Sequence, residues 1–524
     1  MEKNNRSTLK YIIHTVLQFL PLIFILCLGA YLRLYKIDAY MTFLGDEGRD
    51  VLIVKRMIVD HKWTLLGPTA SVGGFFMGPI YYYFMLPFLW IWKLNPVGPA
   101  VMVALIGIMT IYIVYRTGYT MFGKTEGLGA AFLYALSPLV IAYSRSSWNP
   151  NIVPFFSTLL LYLCFRIVTN EKWQYLFWVG LILGIGIQLH YTFLFLFFAS
   201  GLWLLIHGHE NKHIRWYGAA FIGFILGFSP FLAFEIRHGF TNTRSILLFV
   251  FAGKDTGFTF VHFFGNIFSV LFHLFGRSIL RIPDAGVLVN FGVFKRTAWI
   301  SGSYILTVFS VIMAIVRITN RKIGNVTRVS LKLMLFWIGI ILVFFGLYKK
   351  PIYDYYFGIC FAIPFLLLMS AISSFPLTGK MRSACIIIMI SFLALFNWQG
   401  RPFIYPPNNQ LNQVKTISLA VLDKTNGKPF NFALITGGNS DFAYRYFFEL
   451  WARSPIVIEN NSVDPERKTV TDQLLVVCEY PSCQPLGNSL WEVAGFGRAD
   501  IAGVWDVSVV KIYKLIHYKE MKTK

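Results

Sequence analysis

The chain has 524 residues, 56% of them hydrophobic and only 14% charged, with a mean hydropathy of +0.58. That excludes a soluble globule, because apolar runs of membrane-spanning length recur from the N-terminus to about residue 400. The net charge of +22 would suggest nucleic acid in a soluble protein, but much of the excess lies in short loops between apolar runs, where cytoplasmic retention accounts for it and membrane lipids with anionic headgroups are the fitting partners; nucleic acid is set aside.

The first apolar run, 11–31, is too long for the core of a signal peptide, and no small-x-small cleavage site follows it. It reads as a retained span with Lys3, Arg6 and Lys10 inside. Further spans are expected near 98–115, 127–144, 150–165, 173–189, 190–206, 217–236, 299–316, 333–347, 357–375 and 384–400. The inside loops then carry Arg116 and Lys124, Arg166 and Lys172, Lys212 and Arg215, the stretch Arg317 to Lys332, and Lys380 with Arg382. Two runs resist this assignment. Run 80–92 is short and holds Pro87, so it reads as re-entrant or interfacial. Run 258–276 is long enough, but His262, Asn266 and His273 interrupt it, and it reads as an amphipathic surface helix. About eleven spans place the N-terminus in the cytoplasm and the C-terminus outside.

The composition changes after Arg401. Pro406-Pro407 and Asn408-Asn409 mark a linker. Val414, Ile417 and Val421 have helical spacing, with Gly427 as a stop. Segments 430–435, 473–479 and 504–513 read as strands, and 441–451 as a helix. The expected fold class is an all-α polytopic membrane protein with about eleven transmembrane helices and a small extracytoplasmic α/β domain. The expected division is 1–400, including a first outside loop at 33–78, and 401–524. Cys27, Cys164, Cys360 and Cys385 lie in apolar runs as small hydrophobes. Cys478 and Cys483 bracket Glu-Tyr-Pro-Ser in polar sequence, either as a hairpin disulfide or as two thiols.

Chemistry concentrates at the outside ends of these spans. Leu44-Gly45-Asp46-Glu47-Gly48-Arg49-Asp50 puts two adjacent carboxylates beside a bilayer surface, in a chain that otherwise avoids charge. They suit proton abstraction from a hydroxyl; Asp46 also suits the N-cap of a helix over 50–60, and the two roles are compatible, since a cap stays ionised. Gly78-Pro79-Ile80-Tyr81-Tyr82-Tyr83 is either an aromatic belt or the wall for a lipid-linked ligand or sugar. Arg145, Trp148, Asn149 and Asn151 form a short outside loop where a cation opposes the topological trend. A guanidinium there suits phosphate through its bidentate fork, or the loop is only the capped start of the helix at Pro150. Gln188, His190 and Tyr191 stand at another outside boundary. Glu235, Arg237 and His238 open a long outside loop with Arg277, Arg281, Asp284, Lys295 and Arg296. Tyr348 to Tyr356 adds Lys349, Lys350 and Tyr353. One phosphate-bearing ligand would account for these cations; scattered headgroup contacts are the bland alternative. There is no P-loop or dinucleotide fingerprint and no His/Cys metal spacing.

A first span, an outside Asp-Glu in an amphipathic loop and a Pro-Tyr-rich segment together resemble the GT-C membrane glycosyltransferases. Within these the chain is similar to the protein O-mannosyltransferase and aminoarabinose transferase family, over residues 10–400. Gly78-Pro79-Ile80-Tyr81-Tyr82 stands where that family often has His-Pro-Pro-Leu-Tyr. Ser144-Arg145 to Asn149-Pro150 stands where some members place an Arg or Tyr several residues before an Asp. Lys350-Pro351 to Tyr356, followed by Phe361-Ala-Ile-Pro364, resembles a late Lys/His-x-Tyr-x-x-Pro stretch. Gly78 in place of His and Asn149 in place of Asp depart from the pattern and argue against a metal site; no cofactor is assigned, and a divalent metal is left without support.

The resemblance implies an inverting glycosyltransferase. Its donor would be a sugar on a polyprenyl phosphate, and its acceptor a hydroxyl on a polymer, protein or lipid on the extracytoplasmic side. In that reading Asp46 deprotonates the acceptor and Glu47 orients Asp46 or the sugar. Arg145, Arg237, His190 and Lys350 stabilise the departing phosphate, and Asn149, Tyr191, Tyr353, Tyr81 and Tyr82 line the substrate. The expected location is a bacterial or archaeal cell membrane, multi-pass. A transporter or flippase for a lipid-linked sugar or other anion is the alternative, and a non-catalytic receptor or scaffold a third.

Overall fold

The computed structural model describes residues 2–208, 213–283, 285–375, 379–480 and 482–518, with side chains from Gln18 onward except at 285. Lys212 and Asp284 lie outside the described residues, as do the side chains of Lys3, Arg6 and Lys10. The chain forms two compact units. The first comprises residues 1–35, 64–84 and 100–406, and the second comprises 36–63, 85–99 and 407–524. The second therefore takes in two stretches from the N-terminal part of the chain as well as the C-terminal residues.

The apolar runs read as spans are helical over most of their length, but 357–375 starts in a 3-10 turn and is α-helical only over Ala362–Ile372. Where no water can bond the backbone, the helix satisfies its amides internally. Seven helices among the described residues are long and apolar enough to cross a membrane: Val97–Met121, Asn149–Asn170, Ile214–Arg237, Phe260–Leu280, Val293–Thr319, Asn325–Gly346 and Gly379–Trp398. Shorter apolar helices include Ile80–Ile91, Trp173–Leu189, Phe193–His207 and Ala362–Ile372. The chain is a multi-span membrane protein. The run expected at 127–144 is broken, into Lys124–Leu136 and Pro138–Tyr143, because Pro138 cannot donate to the preceding turn. The run 258–276, read as a surface helix, forms Phe260–Leu280, which has the length and apolarity to cross a membrane and packs against Val293–Thr319 and Asn325–Gly346.

The tightest helix pairing in the first unit joins 176–189 to 214–237. Gly180 and Gly184 on one face Gly223 and Gly227 on the other. A Cβ at Gly180 would come within 1.9 Å of the Ala220 carbonyl, and one at Gly223 within 2.1 Å of that of Phe177. Small residues four apart let the backbones touch, where lipid supplies no hydrophobic drive for association.

The second unit carries a four-stranded sheet in the order β1 (Asn431–Ile435), β2 (Gln473–Cys478), β4 (Val510–His517), β3 (Ala499–Val507). β1 and β2 are parallel, joined through helix Phe442–Leu450. The expected single strand 504–513 is instead two, β3 and β4, paired antiparallel. Their tight turn carries no Gly, Pro or Asn to announce it; Ser508 takes the positive φ of 55°. Cys478 and Cys483 are disulfide-bonded, with Cα atoms 5.9 Å apart. Helix Gln410–Lys424 matches the spacing of Val414, Ile417 and Val421, with Gly427 at φ 75° just beyond.

Candidate functional site

In the first unit a polar stripe runs along helix Phe260–Leu280. His262, Asn266, Ser269, His273 and Arg277 recur every three or four residues, so they share one face. That face lines a cavity of about 850 Å³, whose other walls are Tyr143, Trp148 and the segment Lys349 to Tyr355. The stripe explains the interruptions in an otherwise apolar run: polar groups in a membrane helix turn toward the protein interior or an aqueous cavity. His262 Nε2 lies 3.1 Å from the Tyr348 carbonyl, and Asn266 Nδ2 donates to the carbonyls of Tyr348 (2.8 Å) and Phe345 (3.1 Å). These bonds close the C-terminal end of helix Asn325–Gly346. Arg277 Nε donates to Asp354 Oδ2 at 2.8 Å, and Lys350 pairs with Asp255 at 3.0 Å. Among the described residues, Arg277, Lys349, Lys350 and two imidazoles border the cavity; Asp354 faces Arg277 there, and Asp255 pairs with Lys350.

The expected site residues separate by what holds them. Lys350 and Tyr353 line the cavity, and the Tyr353 ring stacks on Tyr355. His190 is buried in the connector between two helices, its Nδ1 2.8 Å from the Thr192 hydroxyl and its ring against Tyr355 and Tyr356. Arg145 is buried; its guanidinium donates to the carbonyls of Leu32 (2.6 Å) and Tyr35 (2.8 Å) and lies over Phe403. It thereby caps the C-terminal end of the first helix, where a cation meets the negative end of the dipole. Asn149 is equally engaged, donating to the Leu189 carbonyl at 2.7 Å. The Tyr191 hydroxyl donates to the Phe76 carbonyl and accepts from Asn242 Nδ2. Tyr81 and Tyr82 are fully buried, with the Tyr81 hydroxyl 2.8 Å from that of Ser147. Arg237 is exposed at the end of its helix. The sequence reading missed His262, Asn266 and His273 as lining residues, although their helical spacing was the available signal.

Asp46 and Glu47 belong to the second unit. Their helix is Gly45–Val59, which begins earlier than the sequence suggests, so its N-cap is Leu44 and not Asp46. The two carboxylates differ sharply. The Asp46 side chain is 53% exposed, with Arg49 Nη1 2.8 Å from its Oδ1. Arg49 also grips the fully buried Asp50, at 2.7 and 2.9 Å. Glu47 is buried, and its Oε2 accepts the Leu44 N–H at 3.0 Å. Burial pushes its carboxyl up to about 7, against the lowering effect of that hydrogen bond. An exposed carboxylate held by a cation can accept a proton from a substrate; a buried one that closes its own helix start cannot reach one. Among the described residues no three His, Cys, Asp or Glu side chains converge to hold a metal ion.

Residues 77–234 match the family model described as dolichyl-phosphate-mannose-protein mannosyltransferase. No curated protein sequence matches the chain. Among solved structures, ArnT from Cupriavidus metallidurans bound to undecaprenyl phosphate superposes with a TM-score of 0.62 at 10% identity, over 94% of this chain and 97% of that one. The apo state of the same protein gives 0.59 at 9% identity, over 98% of each chain. The match to 77–234 includes the Pro-Tyr segment, the Arg145 loop and the His190 connector, and it excludes Asp46. Over residues 77–234 this chain is similar to the dolichyl-phosphate-mannose-protein mannosyltransferase family, and it has the fold of ArnT.

Proposed function

We propose that this protein is an inverting glycosyltransferase that moves a sugar from a polyprenyl-phosphate donor to an acceptor hydroxyl on the extracytoplasmic side. The cavity bordered by Arg277, Lys349 and Lys350 is the observation that carries this reading, because it combines cations for a phosphate with aromatic walls for a sugar ring. The fold supports it, and so does the undecaprenyl phosphate bound to the similar ArnT. The donor's phosphate and sugar are assigned to this cavity. Arg145 and Asn149, engaged by carbonyls, are assigned to holding its surroundings.

The chemistry needs no nucleotide. The acceptor oxygen forms a bond to the anomeric carbon while that carbon's bond to the phosphate oxygen breaks. The bonding pair leaves on the phosphate, giving polyprenyl phosphate, and the acceptor proton passes to the Asp46 carboxylate. The cavity cations stabilise charge that grows on the leaving oxygen. A positioned base contributes ~10²–10⁴ in rate. Purified protein incubated with a panel of polyprenyl-phospho-sugars and analysed by mass spectrometry tests the proposal. The expected result is a glycosylated product from the native chain, and loss of that product in Asp46→Asn with donor binding retained. Asp46→Asn at native activity would remove the base assignment. Donor that changes leaflet in proteoliposomes with no transfer to any acceptor would make the protein a transporter.

A further inference from the structure

The helix that carries Asp46 closes its own start only in part. Its N-cap, Leu44, has no side-chain acceptor, yet the first N–H groups of a helix have no intrahelical partner. Glu47 covers the Leu44 N–H. The Gly45 N–H is met from 394 positions away, by Asn439 Oδ1 at 2.8 Å. Asn439 lies in the glycine-rich turn between β1 and helix Phe442–Leu450, and the same oxygen accepts the Ser440 N–H at 2.9 Å. Glu479, just past β2, braces this turn. One of its oxygens accepts the Thr436 hydroxyl at 2.5 Å, the other the Tyr444 hydroxyl at 3.1 Å, and Asn439 Nδ2 stands 3.5 Å from it.

The two glycines of the acidic motif belong to the same contact. A Cβ at Gly45 would lie 2.0 Å from Ser440 Oγ, and one at Gly48 would lie 2.3 Å from the Ala443 nitrogen. The helix therefore meets the turn backbone to backbone, with no room for a methyl group. Further along, Arg56 and Lys55 both reach Glu449. Asp46 sits one residue beyond the Gly45 N–H, so whatever fixes that amide fixes the origin of the Asp46 side chain.

We infer that Asn439 is a positioning residue for Asp46, with the β-sheet domain supplying the Gly45 N–H with the acceptor that Leu44 lacks and that Glu47, spent on the Leu44 N–H, does not provide. This rests on Asp46 as the base. The test compares Asn439→Leu, Asn439→Asp and Asp46→Asn in the full-length chain, measuring kcat and KM for the donor. Asn439→Leu removes the acceptor, and kcat falls by up to about 10²-fold, the scale of a 1 Å misplacement, with KM for the donor unchanged. Asn439→Asp keeps an oxygen toward Gly45 and restores most of kcat. Should Asn439→Leu fail to fold, Glu479→Gln keeps the size while turning an acceptor into a donor, and kcat falls by about threefold, again with KM unchanged. Native kcat in Asn439→Leu, or in Glu479→Gln where that variant stands in, beside an inactive Asp46→Asn overturns the positioning role and leaves the base intact. An active Asp46→Asn overturns the base reading itself.

Discussion

Two adjacent carboxylates, Asp46 and Glu47, do different things because a helix turns them about 100° apart. Asp46 points out beside Arg49, and Glu47 points in under its own N-terminus. The environment of Glu47 makes stability depend on pH. Burial holds its folded-state value near 7, above the ordinary carboxyl value. The folded state then binds the proton more tightly than the unfolded one, so the stabilisation is complete below the ordinary value and is lost as pH rises through about 7. Thermal unfolding of the detergent-solubilised chain should show a transition that falls between pH 5 and pH 8. Glu47→Gln should flatten this trend, by an amount worth up to roughly 3 kcal/mol. Arg145 shows the other side of residue-scale reading. Its place in an outside loop pointed to phosphate, but its buried guanidinium ends on two main-chain carbonyls.

At the scale of elements, two helices decide where chemistry can occur. Helix Phe260–Leu280 is apolar on most of its surface and polar along one stripe, so it holds its place in the first unit while lining a cavity. Helix Gly45–Val59 is held by close backbone approach on Phe442–Leu450. Gly48→Ala should therefore separate these two helices, at a cost of about 1–3 kcal/mol of stability from overpacking. The measurement is the unfolding midpoint against that of Gly201→Ala, where an added Cβ meets nothing within 4 Å. Equal midpoints would show that the contact is not as tight as the geometry states. The paired glycines at 180, 184, 223 and 227 apply the same device inside the first unit.

For the whole molecule, the proposed topology is open to direct measurement. Impermeant maleimide added to sealed vesicles should reach Lys172→Cys from the cytoplasmic side alone, and Tyr353→Cys and Val463→Cys from the opposite side alone. Labelling of Lys172→Cys and Tyr353→Cys from one side would place the cationic cavity in the wrong compartment for this function. By itself the sequence determined a mostly helical, membrane-spanning chain with a small sheet toward its C-terminus, because hydrophobic run length and strand patterning are properties of the chain read linearly. It did not reveal that the expected single strand is a hairpin, since Ser508 turns without a turn residue. Nor did it show that residues 36–63 belong with the C-terminal sheet, that the stripe from His262 to Arg277 faces a cavity, or that the Arg145 guanidinium donates to the carbonyls of Leu32 and Tyr35. Those outcomes depend on which surfaces meet, and a side chain's partner hundreds of positions away, as Asn439 is for Gly45, leaves no local mark for spacing or composition to register.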